Sequence, residues 1–194
     1  MRTAIVAPKL VMRTVLAGMT VAGLVAGCSP TKDGSPTTDE VSGKPTSGEA
    51  TVEYNPCSDL SDEALRATQV DPASKSVVTD APTGPVTWRM CTWRSTEGPY
   101  SVTIGSSTHT LDETRKNDTV TGFRDVKVGP RAGLMYQDKN DEDKLGCYVS
   151  LPSTRGMFVV SVGWNYSQRA SLPQAPPCDL ALRHASQLET YLPK

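Results

Sequence analysis

The chain has 194 residues, with 20 Lys+Arg against 21 Asp+Glu, 2 His and 5 Cys. That length suits one ordinary domain with extensions rather than two large domains. A formal net charge of −1 implies no basic surface for nucleic acid, and two histidines leave little from which to build His-based catalytic centres or metal cages.

The N-terminus reads as an export signal. Arg2, Lys9 and Arg13 are the only charges before Lys32, and residues 14–27 form an uncharged run of 14. A bilayer-spanning helix needs about 20 apolar residues, so a basic start, a short apolar stretch and a small-residue end describe a secretory signal over 1–27. The end, Val25-Ala26-Gly27-Cys28, has the form of a bacterial lipobox. Small residues admit the extended chain to a peptidase cleft, and the Cys28 thiol accepts the acyl group and becomes the new N-terminus. Met12-Arg13-Thr14 repeats the Met1-Arg2-Thr3 opening, so either methionine is a possible start. One acyl chain binds a bilayer only marginally; a diacylglyceryl group, adding about 0.8 kcal/mol per buried CH₂, anchors stably. Removal of 1–27 takes away three cations and no anion, leaving 17 − 21 = −4. The anchor, not surface charge, is then expected to hold the protein on the extracytoplasmic face of the cell membrane.

Residues 28–53 read as a tether. Fifteen of the 25 residues after Cys28 are Ser, Thr, Pro or Gly, and only Val41 and Val52 are large and apolar. Such a stretch buries too little surface to offset its ordering entropy and is expected to be disordered.

Residues 54–194 make the folded domain. A helix is predicted over 62–68, with Ser61 as N-cap and Leu60 and Leu65 as a hydrophobic staple. Residues 86–94 and 100–105 are predicted strands joined by a turn at Glu97-Gly98-Pro99. Thr110 and Glu113 form a capping-box pattern that opens a helix near 111–118. Residues 124–128 and 132–137 read as extended segments broken at Gly129-Pro130, and 145–151 with 157–166 as a hairpin turning over residues 152–156. A last helix is predicted over 179–192, with Ala181, Ala185, Leu188 and Leu192 on one face. Strands outnumber helices and short turns join them. The expected class is α+β: an antiparallel sheet of five to six strands with two or three helices mainly on one face.

Cys57, Cys91, Cys147 and Cys178 follow the lipobox cysteine. An even number in an exported chain reads as two disulfides, with three pairings open. Context favours Cys57–Cys91 and Cys147–Cys178: Cys57 and Cys178 each follow Pro at a helix start, whereas Cys91 and Cys147 each lie in a strand pattern. Each bridge then staples a helix terminus to a strand and contributes roughly 3–4 kcal/mol.

The chain resembles the actinobacterial lipoproteins grouped as domain of unknown function 3558. The features that carry the resemblance are the lipobox at Cys28, the tether, Asn55-Pro56-Cys57-Ser58-Asp59-Leu60, Asp71-Pro72, Cys91-Thr92-Trp93, Gly146-Cys147 and Pro177-Cys178-Asp179-Leu180-Ala181. The resemblance implies an envelope lipoprotein and supplies no activity or catalytic residues.

The chemistry on offer is sparse. There is no Gly-x-Ser-x-Gly elbow, and His109 and His184 are expected at solvent-facing or capping positions. Residues 138–143 resemble a calcium loop only superficially: Asp143 stands where the sharp-turn glycine belongs and Val149 where the bidentate glutamate belongs. No metal and no cofactor is expected. On the 86–94 strand, Val86, Trp88 and Met90 share one face while Cys91 and Trp93 share the other. Near the end of the chain Phe158, Val160, Val162 and Trp164 share a face, yet Met157 and Val159 are apolar too. The second sheet face is therefore expected to be partly covered or to hold an apolar pocket. The leading expectation is a non-catalytic, lipid-anchored envelope binding module, whose partner is an envelope protein, lipid or glycan. A carrier of an envelope lipid or glycolipid is the alternative, and a cell-wall hydrolase the weaker one.

Overall fold

The computed structural model describes residues 51–82, 85–174 and 176–194. The expected signal, Cys28 and nearly all of the expected tether lie outside the described residues. Its last residues, 51–53, dock on the folded unit: Val52 is buried and donates its backbone N–H to the Val86 carbonyl at 2.9 Å, and Glu53 pairs with Arg155.

The described residues open with α1 (Pro56–Asp59) and α2 (Asp62–Ala67). The Asn55 side chain accepts the Cys57 N–H, and the Ser61 side chain accepts the Ala64 N–H, as the capping pattern predicted for the second of them. Strands β1 (Ser76–Asp80), β2 (Trp88–Arg94) and β3 (Tyr100–Ser107) follow, then α3 (Leu111–Lys116) with its capping box formed by Thr110 and Glu113. Strands β4 (Val120–Val128), β5 (Arg131–Asp138), β6 (Gly146–Ser153) and β7 (Gly156–Trp164) complete the sheet. A 3-10 segment (Tyr166–Gln174) kinked at Gln168 leads to α4 (Pro177–Leu188) and a final 3-10 turn (Glu189–Tyr191).

All seven strands join one antiparallel sheet in the order β1-β2-β3-β7-β6-β5-β4. The expected α+β class holds, with β1 as the strand that the pattern did not announce. Its Val77 and Val78 are both exposed, and a bulge between Val77 and Thr79 breaks the alternation that marks a half-buried strand. The last hairpin is tighter than expected. Pro152 stays in β6 opposite Met157, and only residues 154–155 form the turn.

The register assigns the two faces. Trp93, Val102, Val162 and Cys147 line up across four strands on one face, as do Cys91, Ile104, Val160 and Val149. All eight are at most 1% exposed, and α4 packs on β6 and β7 over them. The bridges are Cys57–Cys91, tying α1 to β2, and Cys147–Cys178, tying β6 to α4. Each joins a helix start to a strand, the arrangement that sequence context favoured.

Two tests follow from this packing. A Cys147→Ser/Cys178→Ser double variant should lose about 2–5 kcal/mol of stability, measured by denaturant unfolding against the oxidised protein. Gly156 has φ 145°, and an added Cβ would lie 2.0 Å from the Ser107 carbonyl oxygen. Gly156→Ala should therefore cost more than about 2 kcal/mol, and an unchanged unfolding midpoint would contradict the tight β3–β7 approach at this point.

A candidate ligand groove on the open face of the sheet

Alternation sends Trp88 and Met90 to the face opposite α4, and the sheet register brings them company. Met90 lies opposite Gly105, which lies opposite Val159, and Ser107 lies opposite Met157. Gly105 keeps the floor low: a Cβ there would meet the Met90 Cγ at 2.8 Å. Three strands across the sheet from Trp88, Tyr148 of β6 stacks on Tyr136 of β5 with ring centroids 5.3 Å apart and planes 7° from parallel. The Tyr136 and Ser150 hydroxyls are 2.9 Å apart and fix that ring. Phe123 flanks Tyr136 at 6.0 Å.

Helix α3 forms one wall above this floor. Thr110 and Glu113 cap it reciprocally, Arg115 pairs with Asp125 of β4, and the Thr114 hydroxyl lies 3.4 Å from the Met157 sulfur. His109, just before the helix, tilts against Trp88 at 5.6 Å and places Nδ1 3.5 Å from a Glu113 carboxylate oxygen. The result is an open groove of about 390 Å³ between two aromatic walls, with Met90, Met157 and Val159 between them. Methionine and aromatic surfaces adapt to varied apolar shapes.

Its rim is acidic. Glu113 and Asp138 line it, and among its described lining residues there is no lysine or arginine. The Thr110 N–H bond, ahead of lesser contributions, holds the Glu113 carboxyl below its ordinary value. Burial raises the Tyr148 hydroxyl above its ordinary range, and the Asp138 and Asp141 carboxylates raise it further. Burial also raises Tyr136, against the hydrogen bond from Ser150.

The residues singled out by sequence are distributed unevenly. Trp88 and Met90 line the groove, and His109 stands at its edge. Trp164 does not: it is buried on the other face, stacked on Tyr100 at 5.4 Å, with its indole N–H donated to the Gln168 carbonyl. Of the acidic 138–143 segment, Asp138 lines the groove while also accepting the Asn140 N–H, and Asp141 accepts the Gly146 N–H within the turn. Tyr136 and Tyr148 were not singled out by sequence. Their stacking depends on β5–β6 pairing, and the only signal was an aromatic residue at one position of each extended segment.

The expectation of a solvent-facing or capping His184 is corrected. It is fully buried, because it shares the α4 face with Leu180, Ala181, Ala185 and Leu188, a helical period the apolar residues alone define. Its Nε2 lies 3.1 Å from the Tyr100 hydroxyl, to which Arg183 also donates. Burial, then the Arg183 charge, lowers its pKa to about 4 despite Glu97 nearby. The folded state thus resists a proton that the unfolded chain accepts near 6.5. This contribution to stability is complete above that value and declines as pH falls toward 4. Unfolding free energy should drop by about 2 kcal/mol between pH 7.5 and pH 5, and His184→Phe should flatten that slope in denaturant titrations. An equal slope in the variant would sink the assignment.

No curated protein and no solved structure matches the chain. Residues 23–191 match the family described as Protein of unknown function (DUF3558). With the match spanning most of its length, the chain belongs to that family.

Proposed function

We propose that this is a lipid-anchored protein of the cell envelope, held by Cys28, whose disulfide-stapled head is a non-catalytic binding module. Its ligand lies in the groove between α3 and the sheet. The observation that carries this reading is the groove itself. About 390 Å³ of concave space falls in the range of small-molecule sites, commonly some 300–1,000 Å³. It combines apolar walls with a few polar groups, the composition such sites share. The N-terminal pattern ending Val25-Ala26-Gly27-Cys28 supports the anchor.

A second reading, a carrier of an envelope lipid or glycolipid, is favoured by Trp88 and Met90 lining a concavity rather than a flat patch. The space between the sheet and α4 is packed with buried side chains, so such a cargo would use the opposite face. The hydrolase reading gains little. Among the described residues His184 meets Tyr100 in the core, and His109 meets Glu113 and Trp88. The Ser107 hydroxyl accepts the His109 backbone N–H and donates to the Thr87 carbonyl, away from the imidazole.

Native mass spectrometry of the full chain, expressed in a related host and released from micelles, tests the groove. A reproducible excess over the acylated chain, removed by organic solvent and lost in Trp88→Ala, is expected. A bare mass, with Trp88 equally reactive toward N-bromosuccinimide before and after addition of envelope extract, would overturn the reading.

A further inference from the structure

The charge of the groove narrows its ligand. Two carboxylates line it, Glu113 on the α3 side and Asp138 on the Tyr148 side, with no lysine or arginine among its described lining residues. The basic side chain among those lining residues is His109, whose Nδ1 already lies 3.5 Å from a Glu113 carboxylate oxygen. Asp141 stands just beyond the lining, fixed by the Gly146 N–H. An anionic head, a carboxylate or phosphate, would face uncompensated negative charge. Aromatic faces beside carboxylates favour the opposite sign, since a ring's negative face attracts an ammonium group.

We infer that the groove binds an organic cation, its ammonium head against the Tyr148 ring beside Asp138 and its apolar body crossing Val159 and Met157 toward Trp88. This rests on reading the groove as a ligand site and adds the class of ligand. The occupant is a small amphiphilic amine or quaternary ammonium compound, sized to about 390 Å³. Asp138 supplies charge without changing shape: one of its oxygens accepts the Asn140 N–H, a role that asparagine preserves. Glutamine at 113 likewise retains the capping-box acceptor for the Thr110 N–H. Both charges can thus be removed with the fold intact.

The test is a calorimetric titration of the full chain in nonionic detergent at constant ionic strength. The probe is choline, against its neutral isostere 3,3-dimethylbutan-1-ol. A binding response that vanishes in Tyr148→Ala reports the groove, because Tyr148 lines it and presents the ring that the ammonium faces. Choline should bind at least about tenfold tighter than the alcohol, and Asp138→Asn should weaken it by about tenfold. Glu113→Gln should have a smaller effect, because that carboxylate is already engaged by the Thr110 N–H and the His109 ring. Equal binding of the alcohol overturns the cation and leaves the groove as a site. No response to either probe also overturns the cation, and the native mass alone then decides the groove.

Discussion

The pairing of β3 with β7 at the centre of the sheet is the contact on which the rest depends. It joins two halves built from distant parts of the chain, with partners running from Tyr100–Trp164 to Ser107–Met157. Neither disulfide crosses it. Cys57–Cys91 lies within the first half and Cys147–Cys178 within the second. The seam is therefore held without either disulfide, chiefly by backbone hydrogen bonding and burial: Val102 on Val162, Ile104 on Val160, and the Tyr100–Trp164 stack. The loop entropy of so non-local a contact must be offset by that apolar burial. The bridges reduce the cost of ordering each half but do not select how the halves meet.

The groove inherits this dependence. Trp88 and Met90 come from the first half, Met157, Val159, Tyr136 and Tyr148 from the second, and α3 lies on the connection between them. A shift of one residue along the seam would invert every side chain of one half and dismantle the floor. Gly156 restrains that shift, since a Cβ there would lie 2.0 Å from the Ser107 carbonyl oxygen across the seam, so no other residue fits at that point.

Polar groups reinforce the same boundary from the helix side. Arg183 of α4 reaches Glu97 and the Tyr100 hydroxyl, and His184 meets that hydroxyl from within. Further along, Arg131 pairs with Glu189, each about 10% exposed, and donates to the Pro152 and Pro193 carbonyls. Largely desolvated pairs of this kind contribute little net stability, but removing one partner strands the other charge. They fix where the C-terminal segment sits more than how firmly it is held.

Local features were legible without coordinates. Ser61, Thr110 and Glu113 announced helix starts because a capping side chain acts within three residues. The preferred cysteine pairing also followed from local context, helix start against strand. The opposite facing of Trp88 and Trp93 followed from strand alternation alone. Strand β1 and the burial of His184 were not read, the first because its bulge breaks the period, the second because a polar residue sits on an apolar helical face. What the sequence by itself determined is the α+β class, the capped helices and the two faces of the strands. The groove, with the Tyr136–Tyr148 stack, the Gly105 floor and the α3 wall, was decided only by tertiary structure. Its parts lie on seven elements, β2 to β7 and α3, and which of them meet is set by long-range register, a property that no short window of residues encodes.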